Sequence, residues 1–226
     1  RVALARAIVA RPRVVLLDEP LASLDPALRE DVRDAILEVH AEFGPAMVVV
    51  THELSEAGRV GDDVAVLLDG RIAQAGVPGS VFRTPATLAV ARFLGLPNEL
   101  RGRLGPGGRL TVEGWPVGPI DQGEPPPPPG DVHVLFGFDA VRLSTDGPGI
   151  PARVIAVHHE PRGAIAELQL LPGPGVHEAP RDTDPTGSHG ARCRIPLAGA
   201  DVPRCGTRLT VALEPRRLHL FARDAT

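Results

Sequence analysis

The sequence predicts an α/β chain in two parts. Strands alternate with helices through about residue 76, and a small all-β unit takes over from about residue 99. Three observations predict this. Two uninterrupted apolar runs, Val14–Leu17 and Met47–Val50, flank a segment whose apolar residues recur at helical spacing. A strand of a parallel sheet, buried on both faces, carries such a run without polar alternation. Beyond residue 100 the composition shifts to short β-type runs separated by Gly and Pro, the pattern of a small barrel or sandwich. The domains that follow are 1–98 and 99–226.

Val2, Leu4, Ala5, Ile8 and Val9 recur at helical spacing before Arg11 and Pro12, so residues 1–10 read as a helix. Strand 14–17 comes next. Asp25 offers an N-cap carboxylate, and Pro26 takes the first helical position, where its missing N–H removes no hydrogen bond. Leu28, Val32, Ile36, Val39 and Phe43 share one face of that helix until Gly44 and Pro45 end it. Arg29, Asp31, Arg33, Asp34 and Glu38 on the opposite face read as solvated charge.

Strand Ala46–Thr51 presents His52 at its end, and a short helix runs from about Glu53 to Arg59. Val64–Leu68 and Arg71–Ala75 form a hairpin about Asp69-Gly70, a dipeptide suited to the positive φ angles of a tight turn. Pro78–Arg83 and Ala86–Leu94 read as further helices. The β-type runs are Leu110–Val112, Val132–Phe138, Arg153–Val157, Ala164–Leu171, Ala191–Ile195 and Thr207–Leu213. Gly- and Pro-rich stretches at 104–130 and 172–190 read as turns and linkers. Within them Pro125–Pro129 reads as a stiff surface loop, with a polyproline II ligand as the alternative.

With 226 residues and 43% hydrophobic content the chain is long enough for one large or two small domains. A formal charge of −4 argues against nonspecific nucleic-acid binding, which needs a basic face, so no nucleic acid is expected as a partner. No apolar run approaches the roughly 20 residues of a membrane helix, so membrane association is expected to go through a partner. Cys193 and Cys205 form no CxxC pair and read as free thiols in a reducing cytosol. Abundant Arg, Ala, Gly and Pro without Lys or Tyr indicates GC-rich coding.

The chemistry concentrates at the first strand's end. Val14–Leu17 delivers Asp18 and Glu19 to its carboxyl edge, and adjacent strand residues point opposite ways. Asp18 can then reach a Mg²⁺ that bridges nucleotide phosphates while Glu19 polarises an attacking water. The bland alternative is a core strand whose acids cap the following turn. A lone histidine such as His52 is likewise more often a packing or surface residue.

The order of these features resembles the second half of an ABC transporter ATPase. Asp18 and Glu19 match its Walker B end, Ala22-Ser23-Leu24-Asp25 its D-loop, and Thr51-His52 its switch histidine. RVALARAIVARP at Arg1–Pro12 is similar to the helix that follows the LSGGQ signature. DGRIAQAG at Asp69–Gly76 and ARFLGLPN at Ala91–Asn98 look like the segments that close the domain in importers for inorganic ions, polyamines and sugars, and the resemblance continues to about Arg103. GTRLTVALEPRRLHLF at Gly206–Phe221 resembles the end of a TOBE domain, an OB-like barrel appended to this subgroup.

The resemblance implies the carboxyl-terminal part of a P-loop NTPase (ABC) domain with a parallel sheet, then a small TOBE barrel. It implies ATP and Mg²⁺ as cofactors. It implies Glu19 and His52 as catalytic residues, Asp18 as the Mg²⁺ ligand through water, and Asp25 and Ser23 at the nucleotide-dimer interface. Partners implied are a second ATPase subunit as a homodimer, transmembrane permease subunits and, indirectly, a solute-binding protein, at the cytoplasmic face of the membrane. The family more often reads SALD at the D-loop and aspartate after the switch histidine, where this chain has Ala22-Ser23-Leu24-Asp25 and Glu53.

All 24 Lys-or-Arg positions are arginine, so no residue supplies the lysine of a P-loop, and Q-loop and LSGGQ segments are absent. The expectation is a sequence cut upstream of Arg1 that neither holds ATP firmly nor hydrolyses it alone. Competing readings are a nontransport ABC ATPase and a regulatory ligand-binding fragment with a vestigial ATPase part. In the second domain, Arg162, Gly163, His158 and His159 are candidates for oxyanion contact by chemistry only, and no site is assigned to them.

Overall fold

The computed structural model describes residues 2–22, 24–120, 128–144, 147–161, 163–174, 191–197 and 202–223. Contacts divide the chain into two compact units, Arg1–Ala86 and Thr87–Thr226.

The first unit contains α1 (Val2–Val9), β1 (Val14–Asp18), α2 (Pro26–Phe43), β2 (Ala46–Val50), α3 (Leu54–Val60), β3 (Val64–Leu68), β4 (Arg71–Gly76) and α4 (Pro78–Arg83). β1 and β2 pair in parallel from Val14↔Ala46 to Asp18↔Val50. The 18-residue α2 makes the crossover between them. It starts as its sequence dictates: Asp25 is extended (φ −65°, ψ 158°), and its carboxylate accepts the Leu28 amide at 3.0 Å. It stops at Gly44, whose φ of +63° is costly for any residue with a Cβ and whose N–H donates to His40 O. Ile36, 2% exposed, anchors the helix. β3 and β4 form an antiparallel hairpin whose turn residues Asp69 and Gly70 both have positive φ (49° and 73°).

One expectation fails in β1. Val15 is 4% exposed, as a core strand residue should be, but Leu16 is 75% exposed and Val14, Val48 and Val50 are 54% exposed. Among the described residues β2 is the only strand paired with β1, and no layer covers this side of the two-stranded sheet. The apolar run therefore has the composition of a strand buried on both faces and the burial of one covered on a single face.

The second unit opens with α5 (Leu88–Phe93), capped by Thr87 Oγ1 accepting the Val90 amide. Ten strands follow: β5 (Asn98–Leu104), β6 (Arg109–Val112), β7 (Trp115–Pro119), β8 (Gly130–Phe136), β9 (Val141–Ser144), β10 (Ile150–Glu160), β11 (Gly163–Leu170), β12 (Arg192–Leu197), β13 (Arg208–Leu213) and β14 (Leu218–Ala222). They form two five-stranded antiparallel sheets, β14-β8-β5-β6-β7 and β12-β11-β10-β13-β9. Inward residues of both, among them Leu100, Val134 and Phe136 from the first and Val154, Leu168 and Val211 from the second, share one apolar core.

Two polar ties join the sheets. The Asn98 side chain, 1% exposed, donates to Arg194 O and accepts the Arg194 amide, copying a peptide's pairing across the gap. Trp115 Nε1 donates to Leu171 O at 2.9 Å. Part of the 104–130 stretch expected as turn and linker is β7, hairpinned to β6 through Glu113-Gly114, both at positive φ. Among the described residues no helix is long and apolar enough to cross a membrane. Cys193 is buried and Cys205 exposed, and neither is in a disulfide. Ser23, Arg162, most of the Pro125–Pro129 run and residues 175–190 lie outside the described residues.

Candidate functional site at the ends of the parallel strands

The site is built where β1 and β2 stop side by side. Pairing puts Asp18 opposite Val50, and the Glu19 amide extends the ladder one step by donating to Val50 O at 2.9 Å. Glu19 then turns out of the strand with φ +45°, a left-handed conformation unusual for a residue with a Cβ. Its carbonyl accepts the Ala22 amide in the turn that follows, and Leu21, 2% exposed, pins that turn to the core. The divergence of Asp18 and Glu19 comes from this backbone reversal as well as from strand alternation.

That reversal carries the Glu19 carboxylate to the end of β2. Glu19 Oε1 lies 2.8 Å from His52 Nδ1. The imidazole is 70% exposed and the carboxylate 36% exposed, so both are open to an incoming ligand. The hydrogen bond to Glu19 raises the His52 pKa above its ordinary value. The Glu19 charge adds to this, and Glu53 and Glu56 contribute further. Asp18 is exposed at the strand end. A single carboxylate of this kind suits Mg²⁺, which keeps several waters and takes few protein ligands. Among the described residues no group of three or more His, Cys, Asp or Glu side chains forms an all-protein metal cage.

Asp25 sits at the start of α2, its carboxylate engaged with the Leu28 amide. The structure thus brings Asp18, Glu19 and His52 together at one edge, gives Asp25 its capping role, and leaves Ser23 outside the described residues.

Sequence reasoning missed a layer behind the histidine. Thr51 Oγ1 donates to Glu56 Oε2 and accepts the Glu53 amide, each at 3.0 Å. Glu56 is only 7% exposed. Arg29, assigned from its helical face to solvated charge, instead approaches Glu53 at 3.5 Å and Glu56 at 3.6 Å. Arg33 is 14% exposed and pairs with Glu30 and Asp34, so it is not plain solvated charge either. The pairing across elements follows from α2 crossing beside α3, which helical periodicity does not encode.

In the second unit His158 and His159 stand exposed near the end of β10. His158 Nε2 faces the Glu167 carboxylate at 3.8 Å and Arg192 faces the same carboxylate at 3.4 Å. The Glu167 carboxylate thus lies between the His158 ring and the Arg192 guanidinium, and Arg162 lies outside the described residues.

No protein-family model matches the chain. Among curated proteins it is 37% identical over 225 residues to the sulfate/thiosulfate import ATP-binding protein CysA of Salmonella typhi, covering 97% of this chain and 56% of that protein. It is 35% identical over 225 residues to CysA of Escherichia coli K12, with the same coverage. It is 36% identical over 187 residues to the Fe(3+) ions import ATP-binding protein FbpC of Streptomyces avermitilis, covering 77% of this chain and 54% of that protein. The chain spans a little over half the length of these relatives. Among solved structures it is similar to the molybdate-bound cytoplasmic molybdate-binding protein ModG, at TM-score 0.35 and 14% identity over 56% of this chain and 96% of that one. A likeness that low carries no argument.

Proposed function

The chain belongs to the ATP-binding subunits of ABC importers, and from that membership we propose that it supplies the hydrolytic edge of an ATPase driving uptake of a small solute or inorganic ion. The observation that carries the reading is the 2.8 Å bond between Glu19 and His52 at the ends of paired parallel strands, with Asp18 beside them.

In this reading Glu19 accepts a hydrogen bond from the attacking water and orients it. His52 contacts the terminal phosphate of ATP, held in place by Glu19 through Nδ1. Asp18 holds Mg²⁺ through water, and the bound metal supplies charge neutralisation at the phosphates. Asp25 faces a second copy of the subunit across a nucleotide-sandwich dimer, the interface to which the D-loop resemblance also assigns Ser23. Residues 1–98 are the carboxyl-terminal part of the nucleotide-binding domain and 99–226 a TOBE-type β domain. Permease subunits and a solute-binding protein complete the transporter, placing the chain at the cytoplasmic face of the membrane. The sulfate and iron relatives support an inorganic-ion cargo as a class.

The chain has no lysine to reach the β and γ phosphates, so the phosphate cradle comes from elsewhere in the functional protein. The test compares Mg-ATP turnover by the 226-residue chain alone with turnover after joining it to a P-loop-bearing upstream segment of the Salmonella typhi relative. Turnover only in the joined protein is the expected result. Robust turnover by the chain alone, or none in a folded joined protein, overturns the proposal.

A further inference from the structure

We infer that Arg29 is a positioning residue that holds the His52 loop to the segment just before α2, so that the Asp25 end of that helix and the histidine move as one piece. This rests on the role given to His52 above.

The guanidinium reaches two elements besides its own helix. Nη2 donates to Leu24 O at 3.4 Å, on the residue preceding the Asp25 cap. Nη1 lies 3.5 Å from Glu53 Oε1, and Nε lies 3.6 Å from Glu56 Oε1. Glu56 passes the restraint on through its other oxygen, which accepts the Thr51 hydroxyl, and that hydroxyl accepts the Glu53 amide. His52 is therefore flanked on both sides by residues tied to one arginine. Only a planar fork with five donors spans such a set, since an ammonium is a point charge with shorter reach.

The fork is loaded and not fully closed. Arg29 Nε and Glu56 Oε1 are buried and without a hydrogen bond, facing each other at ion-pair distance but beyond hydrogen-bond length. A displacement of about half an ångström of the Arg29 turn of α2 toward α3 brings that pair within hydrogen-bond length. The reverse shift separates a buried carboxylate from its cation, which is costly. The remaining charges on the histidine's surroundings are Glu19, bonded to the ring, and Asp18 at the end of β1. Neither meets Arg29 in an ion pair, so the link from the helix cap to the ring runs through Glu53, Glu56 and Thr51.

The test uses the full chain without nucleotide, so its outcome is independent of whether the ATPase reading holds; that reading is judged separately by turnover. The readouts are the ¹⁵N signature of His52 Nδ1 at fixed pH and amide exchange. Arg29→Gln is expected to speed exchange of the Glu53 amide about tenfold and to move the Nδ1 signal toward that of a Glu19→Gln control, while the β3–β4 hairpin stays protected. Arg29→Lys, which keeps the charge and preserves folding if Arg29→Gln does not, is expected to rescue only part of both signals. An unchanged Nδ1 signal and unchanged Glu53 protection in these variants overturn the inference. So does a uniform loss of protection that includes the hairpin, which marks Arg29 as a general stabiliser.

Discussion

His52 Nδ1 lies 2.8 Å from Glu19 Oε1, a bond that closes two strand ends 33 positions apart in sequence. Because the hydrogen bond and charge of Glu19 hold the imidazole pKa above its ordinary value, the interaction favours the folded state fully below the unfolded histidine pKa. It fades as pH rises through the raised folded value. Glu19→Gln should move the His52 titration back toward the ordinary imidazole range, read by NMR of the ring. A titration that stays where it was, or rises, contradicts the bond.

Asp25 caps α2 through the Leu28 amide. Asp25→Ala should cost about 1 kcal/mol of helix stability, with Asp25→Ser retaining most of it. Denaturant unfolding followed by far-ultraviolet circular dichroism reads the difference. Equal losses in both variants would remove the capping account.

Asn98 is 1% exposed and satisfies both backbone groups of Arg194. Asn98→Ala removes both partners of the part-buried Arg194 N–H and C=O and should destabilise the second unit by about 1–3 kcal/mol. Trp115, the single tryptophan and itself bonded within this unit, supplies the fluorescence signal. A loss under about half a kcal/mol would show that water or relaxation replaces the pair.

Burial pushes the Cys193 thiol up to about 12, so it stays protonated across the working range. Cys205 is exposed. The native chain should therefore show one thiol that reacts promptly with a maleimide and one that reacts only on unfolding, on the order of a hundredfold slower. Two equally fast thiols would contradict the packing of β12.

Local rules made the site's frame legible in the sequence. The apolar run ending in Asp18 and Glu19, the Asp25-Pro26 helix start, the Gly44 stop and the Asp69-Gly70 hairpin each depend on a few neighbouring residues, and each is found in place. Glu113-Gly114 turns like an Asp-Gly pair but has weaker residue preference, and so the sequence of β7 reads as linker. Asn98, Glu99, Arg101 and Arg103 give β5 the look of a loop, although Leu100 and Leu104 face inward as a strand requires. The open face of β1 and the Arg29 contacts depend on what lies beside them in space, and no local pattern encodes that.

The central claim is that Glu19 acts on the water that attacks the terminal phosphate. It is tested most directly by comparing nucleotide binding and Mg-ATP turnover for wild type and Glu19→Gln, with the chain joined to a P-loop-bearing upstream segment. The account predicts near-equal affinity for ATP and a fall in turnover of about a hundredfold or more. Unchanged turnover, or a loss explained wholly by weaker binding, would contradict it.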